Sequence, residues 1–428
     1  MSERQIKVDY IARVEGEGAL DIRISDGEIL DLKLKIWEPP RFFQSFLVGR
    51  RFDEVPDMTA RICGICPVSY MMTSIEAIED AFGITVSQQT RDLRRLLALS
   101  QWIQSHTLHV YMLAAPDFLG YESVIAMVSD YPEVVKRALR MKKLGNDLTR
   151  VIGGREINPV NPVVKGFSRV SAKSELWGFI DRLKEGKEDA LETVRLVSSL
   201  PIPDFNRKAE HLAVSHESEY GVNYGKLVST GGLNISVKDY RKYIKERQVP
   251  HSNTLHSYIE GRDSFLVGPL ARVNVNFDQL SPDAQKAVRE SGISFPNFNP
   301  FVSIVARAIE LVHSMDECLE IIERLDPKDE DVRFEVKAGE GWAATEAPRG
   351  LLYHSYKINS EGIIEKADIV APTSHNLYSM ENDLWQFVPT VLDLPLEEAT
   401  LKCEMIVRNY DPCISCSCHF LKLNIRRE

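Results

Sequence analysis

Four of the seven cysteines occur as two C-x-x-C pairs, Cys63 and Cys66 in "RICGICP" and Cys413 and Cys416 in "DPCISC". A C-x-x-C turn aims two sulfurs at one point. Thiolates are soft ligands that suit zinc, iron-sulfur clusters, or nickel and low-valent iron. On spacing alone a four-cysteine zinc site and a thioredoxin-like redox pair both stand as readings. Context favours a third. Zinc knuckles usually lie within about 15 to 20 residues of each other, because the metal replaces a small core, whereas Cys63 and Cys413 are 350 positions apart. A site drawn from both ends of a long chain, with Pro67 opening a helix on one side and an Asp-Pro turn on the other, has the character of an assembled cofactor centre. Cys318, Cys403 and Cys418 lack such pairing, and Cys318 falls on an apolar helical face as a small buried hydrophobe.

Such a centre needs a large scaffold, and the composition provides one. The chain has 428 residues, 44% hydrophobic and 27% charged, as a globular protein with a substantial core requires. Its net charge of -10 argues against a nucleic-acid footprint and an anionic membrane surface. No window approaches the roughly 18 to 20 apolar residues of a spanning helix, and "MSERQIKVDYIARVEG" lacks a signal-peptide pattern, so the expectation is a cytoplasmic protein with soluble partners. An odd cysteine count in a reducing compartment again points to metal or redox chemistry.

Along the chain, Leu20, Ile22 and Ile24 alternate with polar residues, "SDGE" supplies a turn, and Leu32, Leu34 and Ile36 alternate again, which predicts a β-hairpin. From Pro67 the spacing of Met71, Met72, Ile75 and Ile78 predicts a helix closed by Gly83. "TRDLRRLLALSQWIQSHTLHVYMLAA", "SAKSELWGFIDRLKEGKEDALETVRLVSSL" and "PFVSIVARAIELVHSMDECLEIIERL" read as long helices, the first unbroken to Pro116. "SFLVGPLARVNV", "GLLYHSYKIN" and "GIIEKADIVAP" read as β pieces. The expected fold is α+β, mainly α-helical, with a long-helix bundle core, an N-terminal hairpin or sheet and C-terminal strands. No linker or repeat divides residues 1–428, so a single domain is expected.

The motifs "ARVEGEG", "PRFFQSFLVGR", "RICGICP", "LAAPDFLG", "GGREINP", "VGPLAR", "APRGLL", "VAPTSHN" and "DPCISCSCH" occur in an order that resembles the large subunit of nickel-iron hydrogenases, in particular the cytoplasmic sulfhydrogenase or NAD(P)-linked group. The resemblance covers nearly the whole chain. It implies nickel held by Cys63, Cys66, Cys413 and Cys416, with Cys66 and Cys416 bridging to an iron that carries one carbon monoxide and two cyanides. It makes Arg349, Thr373 and the backbone near Pro372 the donors to cyanide, with Leu352 and Ala371 walling the carbon monoxide. Asp117 and Asp411 are expected to hold the charge of Arg349. Cys413 becomes the first proton acceptor and Glu15 the next station, since a positioned carboxyl can relay a proton. Glu17, where many relatives carry His, is expected to face solvent.

Three further positions depart from the family pattern. Gln44 stands where relatives have a magnesium-binding glutamate that acts with the Ile369 carbonyl and His419, so a structural Mg or Fe ion there loses one ligand charge. Tyr70 and Asn158 replace histidines. The resemblance further implies a small subunit with iron-sulfur clusters, additional flavin and NAD(P)-binding subunits, and a maturation protease that removes residues 420–428 after nickel insertion. The chain itself has no second four-cysteine set and no G-x-G-x-x-G after a strand. The competing readings are a deazaflavin-coenzyme-reducing hydrogenase large subunit, a non-catalytic respiratory-complex subunit of the same fold, and a zinc-stabilised scaffold.

Overall fold

A computed structural model of the chain describes residues 3–39 and 41–418. Long helices form its centre, most of them where the hydrophobic periodicity predicts; Pro132–Gly153 is an addition to that reading. Gln88–Leu108 packs between Pro132–Gly153 and Ser303–Arg324, and Ile180–Ser198 lies along the last of these. Their facing side chains, among them Leu96, Trp102, Leu144, Leu183, Val305 and Leu311, are buried and make one continuous apolar core. No helix among the described residues is long and apolar enough to cross a membrane.

Two three-stranded antiparallel sheets flank the bundle. Glu3–Val8 pairs with Gly18–Ser25, which turns at Asp26 and Gly27 into Glu28–Ile36. The hairpin is as expected; its third strand was not read from the sequence. The other sheet joins Gly339–Ala347, Gly350–Ile358 and Ile364–Val370. The expected β character of "SFLVGPLARVNV" holds only for Phe265–Leu266, because Pro269 opens the helix Pro269–Asn276. The helix expected to run unbroken to Pro116 instead widens into a π turn at His109–Ala114 before resuming at Ala115–Leu119.

The helix that follows the first cysteine pair, Pro67–Phe82, starts with Pro67 at a first-turn position and stops at Gly83, whose N–H caps the Asp80 carbonyl. It lies directly on the strand Gly339–Ala347. A Cβ at Gly341 would sit 2.1 Å from the Ala77 carbonyl oxygen, so glycine is the residue that permits this approach. The contact brings the first cysteine pair beside the strand turn that carries Arg349.

Glu76 on the same helix is fully enclosed. Burial pushes its carboxyl up from 4.5 to about 8, with Arg94 opposing and Glu79 reinforcing the shift. The folded chain therefore holds a proton there that the unfolded chain releases near pH 4.5. This contribution to stability is complete below about pH 4.5 and is lost as pH rises through about 8. Glu76→Gln is expected to flatten the pH dependence of the unfolding midpoint across that window and to raise the midpoint above pH 8. An unchanged slope in denaturant titrations at pH 5, 6.5 and 8 would contradict this assignment.

Candidate metal centre

The fold brings the two cysteine pairs together. Cys66 Sγ lies 2.8 Å from Cys63 Sγ, Cys63 Sγ lies 3.6 Å from Cys413 Sγ, and the sulfurs of Cys413 and Cys416 are in direct contact. All four are buried. The first pair is shaped by the turn that starts the Pro67–Phe82 helix: the backbone N–H groups of Ile65 and Cys66 donate to Cys63 Sγ at 3.3 and 3.1 Å. The second pair lies in the short helical turn Ile414–Ser417 and its flank, with Cys413 N–H donating to Thr373 Oγ1 at 2.9 Å. Burial pushes the Cys63 thiol up, but the Cys66 hydrogen bond, the Arg349 charge and the two backbone donors outweigh it and leave it below its ordinary value. Cys66 is driven far up by its bond to Cys63 and by burial. One thiolate is supported by the protein alone; four at this spacing require a cation.

Glu15 reaches the cluster from the other end of the chain. Its backbone bridges to Cys413, with Ile414 N–H donating to the Glu15 carbonyl at 2.9 Å. Its Oε2 accepts from Cys413 Sγ and from Ser415 N–H, both at 3.1 Å. Gly16 makes this possible: its φ is +85°, and a Cβ there would meet Ser415 N at 2.8 Å. Glu17, by contrast, is exposed and accepts from Trp37 Nε1.

Arg349 lies at the turn between two strands and is fully enclosed. Its Nε donates to the Asp411 carbonyl at 2.8 Å and its Nη2 to Asp411 Oδ1 at 3.0 Å, while Nη1 has no partner among the described residues. Asp411 holds its charge despite burial because Arg349, His109 and Arg307 face it. The expected pairing of Asp117 with Arg349 is corrected by the structure: the Asp117 carboxylate accepts from Arg408 Nε at 2.7 Å and Nη2 at 3.0 Å, and from Arg13. Helix Ala115–Leu119 turns it toward the "ARVEG" loop, so it anchors the turn that carries Glu15. Sequence reading missed Arg13 and Arg408; the positive φ of Arg13, 59°, is a backbone feature no motif announces. Thr373, expected as a cyanide donor, accepts from Cys413 N–H through Oγ1 and keeps its O–H as a donor.

Leu352 packs in the same apolar cluster as all four cysteines. Ala371 caps the helix Pro372–Phe387, with Pro372 in its first turn and Thr373 beside it. Gln44 and Ile369 also meet, but Gln44 Nε2 donates to the Ile369 carbonyl at 2.9 Å, so these two groups satisfy each other. His419 and residues 420–428 lie outside the described residues. Tyr70 is buried beside the first pair, its hydroxyl without a hydrogen-bond partner among the described residues, and Asn158 sits in a positive-φ turn.

The convergent thiols, an enclosed arginine with one free donor and an acid in contact with a cysteine fit a thiolate-held nickel-iron group. The sequence matches the nickel-dependent hydrogenase profile over residues 41–136 and 260–419. The chain belongs to the nickel-dependent hydrogenase family, as the catalytic large subunit of an oxidoreductase that takes H2 as donor, with a nickel-iron centre. It is 34% identical over 98% of its length to sulfhydrogenase 1 subunit alpha of Pyrococcus furiosus, which is covered to 98%. It is 33% identical over 98% of its length to sulfhydrogenase 2 subunit alpha of the same organism, which is covered in full (100%). Its fold superposes on an NAD+-reducing [NiFe]-hydrogenase in the H2-reduced state with a TM-score of 0.87, at 25% identity, covering 97% of this chain and 99% of the other.

Proposed function

We propose that this chain splits H2 heterolytically at a nickel-iron group held by Cys63, Cys66, Cys413 and Cys416, and that the iron carries one carbon monoxide and two cyanides. The metals supply the site at which H2 is polarised. The chain's own residues then handle the proton: Cys413 Sγ receives it, and the Glu15 carboxylate, already 3.1 Å from that sulfur, takes it onward. That contact is the observation that carries the reading. Arg349 holds its free Nη1 as a donor for an anionic ligand, while Leu352 and Ala371 line the apolar side. Electrons leave through a partner small subunit with iron-sulfur clusters and onward through flavin-bearing subunits to NAD(P); the solved relative described as NAD+-reducing supports the last step. We place the assembly in the cytoplasm. A protease removes 420–428 after nickel insertion, so the active chain ends at His419.

One preparation tests this reading. Purified active enzyme is expected to contain nickel and iron, to show infrared bands of bound carbon monoxide and cyanide, and to have the intact mass of a chain ending at His419. Zinc in place of nickel without such bands would return the scaffold reading, and full activity with residues 420–428 attached would refute the processing step alone.

A further inference from the structure

Only two groups of described residues bring three metal-ligating atoms together. One is the cysteine cluster. The other is formed by His251, His256 and Glu381, whose ligating atoms all lie within 4.8 Å of one another. His251 lies in the loop between the paired strands Ile244–Arg247 and His256–Ile259, and His256 opens the second of these. Glu381 projects from the helix Pro372–Phe387, the helix whose first turn carries Thr373. His251 Nε2 is 2.7 Å from Glu381 Oε1, His256 Nδ1 is 3.7 Å from Glu381 Oε2, and Leu34 N–H donates to Glu381 Oε1 at 3.0 Å.

His256 is the telling member. Its side chain is 1% exposed, yet neither ring nitrogen has a hydrogen-bond partner among the described residues. Buried polar groups are rarely left so, and an imidazole poised beside a carboxylate and a second imidazole is a typical ligand arrangement. Arg247 is turned onto the Tyr378 ring, 4.0 Å from its centroid, and Tyr378 stacks on His256.

We propose that His251, His256 and Glu381 bind one divalent transition-metal ion, zinc by preference, at a site separate from the cysteine centre. Two imidazole nitrogens and one carboxylate oxygen are a borderline donor set that suits zinc rather than magnesium or calcium. Ligand atoms around a tetrahedral zinc stand roughly 3.3 Å apart, given metal-ligand bonds of about 2.0 Å. His251 faces Glu381 Oε1 and His256 faces Oε2, so with the three ligating atoms within 4.8 Å of one another the groups must draw in by up to about 1.5 Å, while the His251–Glu381 pair opens slightly. Water can enter on the partly exposed His251 side as the fourth ligand. The loop is already braced for this: Gln248 Nε2 donates to the Ser252 carbonyl at 2.6 Å, and Asn253 N–H donates to the Ile36 carbonyl at 2.8 Å. The bound ion clamps this loop and the N-terminal sheet to the helix that positions Thr373, a structural role distinct from H2 chemistry.

The test uses the mature nickel-loaded complex, in which the four cysteines are occupied. After chelator treatment it is titrated with Zn2+, and in parallel with Co2+, and metal per chain is counted alongside nickel and iron. Wild type is expected to bind one extra zinc, and cobalt there should give the visible bands of a four-coordinate nitrogen-oxygen site. His251→Gln should weaken zinc binding at least tenfold while leaving H2 oxidation and nickel content unchanged, and His256→Ala should remove the extra zinc. Because His251 is partly exposed, its variant decides the matter if His256→Ala fails to fold. Absence of an extra zinc and cobalt in wild type, or equal affinity in His251→Gln, overturns the site.

Discussion

Glu15→Gln is expected to lower H2 oxidation by roughly 10²- to 10⁴-fold, the range of a lost positioned acid-base group, with nickel and iron at wild-type occupancy. The substitution keeps the shape of a side chain that packs against the Cys413 segment. Glutamine can still face Cys413 Sγ and Ser415 N–H, the two groups that now donate to Glu15 Oε2 at 3.1 Å. What it loses is the ability to take a proton from sulfur and release it. Proton-deuterium exchange and turnover should therefore fall together, and Glu15→Asp, with its carboxyl drawn back by one methylene, should fall between the two. Wild-type turnover and exchange in Glu15→Gln would show that the proton leaves by another route.

Arg349→Lys is expected to cost about 10²-fold in activity, on the scale of a lost donor at a reacting centre, again without loss of metal. The guanidinium makes two separate bonds to Asp411, through Nε at 2.8 Å and Nη2 at 3.0 Å, and still has Nη1 free. Lysine preserves the charge but offers one nitrogen on a flexible stem, so it cannot hold Asp411 and present a second donor at once. Metal content, infrared bands and turnover measured on one sample separate the possibilities: shifted cyanide bands with slow turnover support the donor role, and wild-type rates with full occupancy reduce Arg349 to scaffolding.

The cysteine site was legible because chemistry and local structure coincide in short segments. Pro67 and Gly83 bound a helix by local backbone rules, so the placement of Cys63 and Cys66 just before it could be read directly. The residues that hold Arg349 and Glu15 in place were less legible. Asp117, Arg13 and Arg408 meet only after folding, and nothing local distinguishes an aspartate that will face Arg349 from one that will face Arg408. In "SFLVGPLARVNV" the apolar residues suit either period, and Gly268–Pro269 was the overlooked helix start. The strand Glu3–Val8 offers only Ile6 and Val8 as inward residues, too short an alternation to announce itself. The π turn at His109–Ala114 contains no Pro, Gly or change of apolar period that would announce it. Gln44, expected as a weakened ligand, donates its amide to the Ile369 carbonyl expected beside it, a pairing that no local pattern announces.

The bridge between Glu15 and Cys413 spans nearly the entire polypeptide. Contacts of such sequence separation form late, since a long loop must close before any of them contributes. During synthesis the emerging chain can present at most the Cys63 and Cys66 pair, half a ligand set, to any metal it encounters. The catalytic pocket thus comes into being only once the segment with Cys413 and Cys416 has been made and docks against the one that carries Glu15, so that a product stalled before them cannot acquire a finished reaction centre. The geometry of the site itself checks that both cysteine pairs are present.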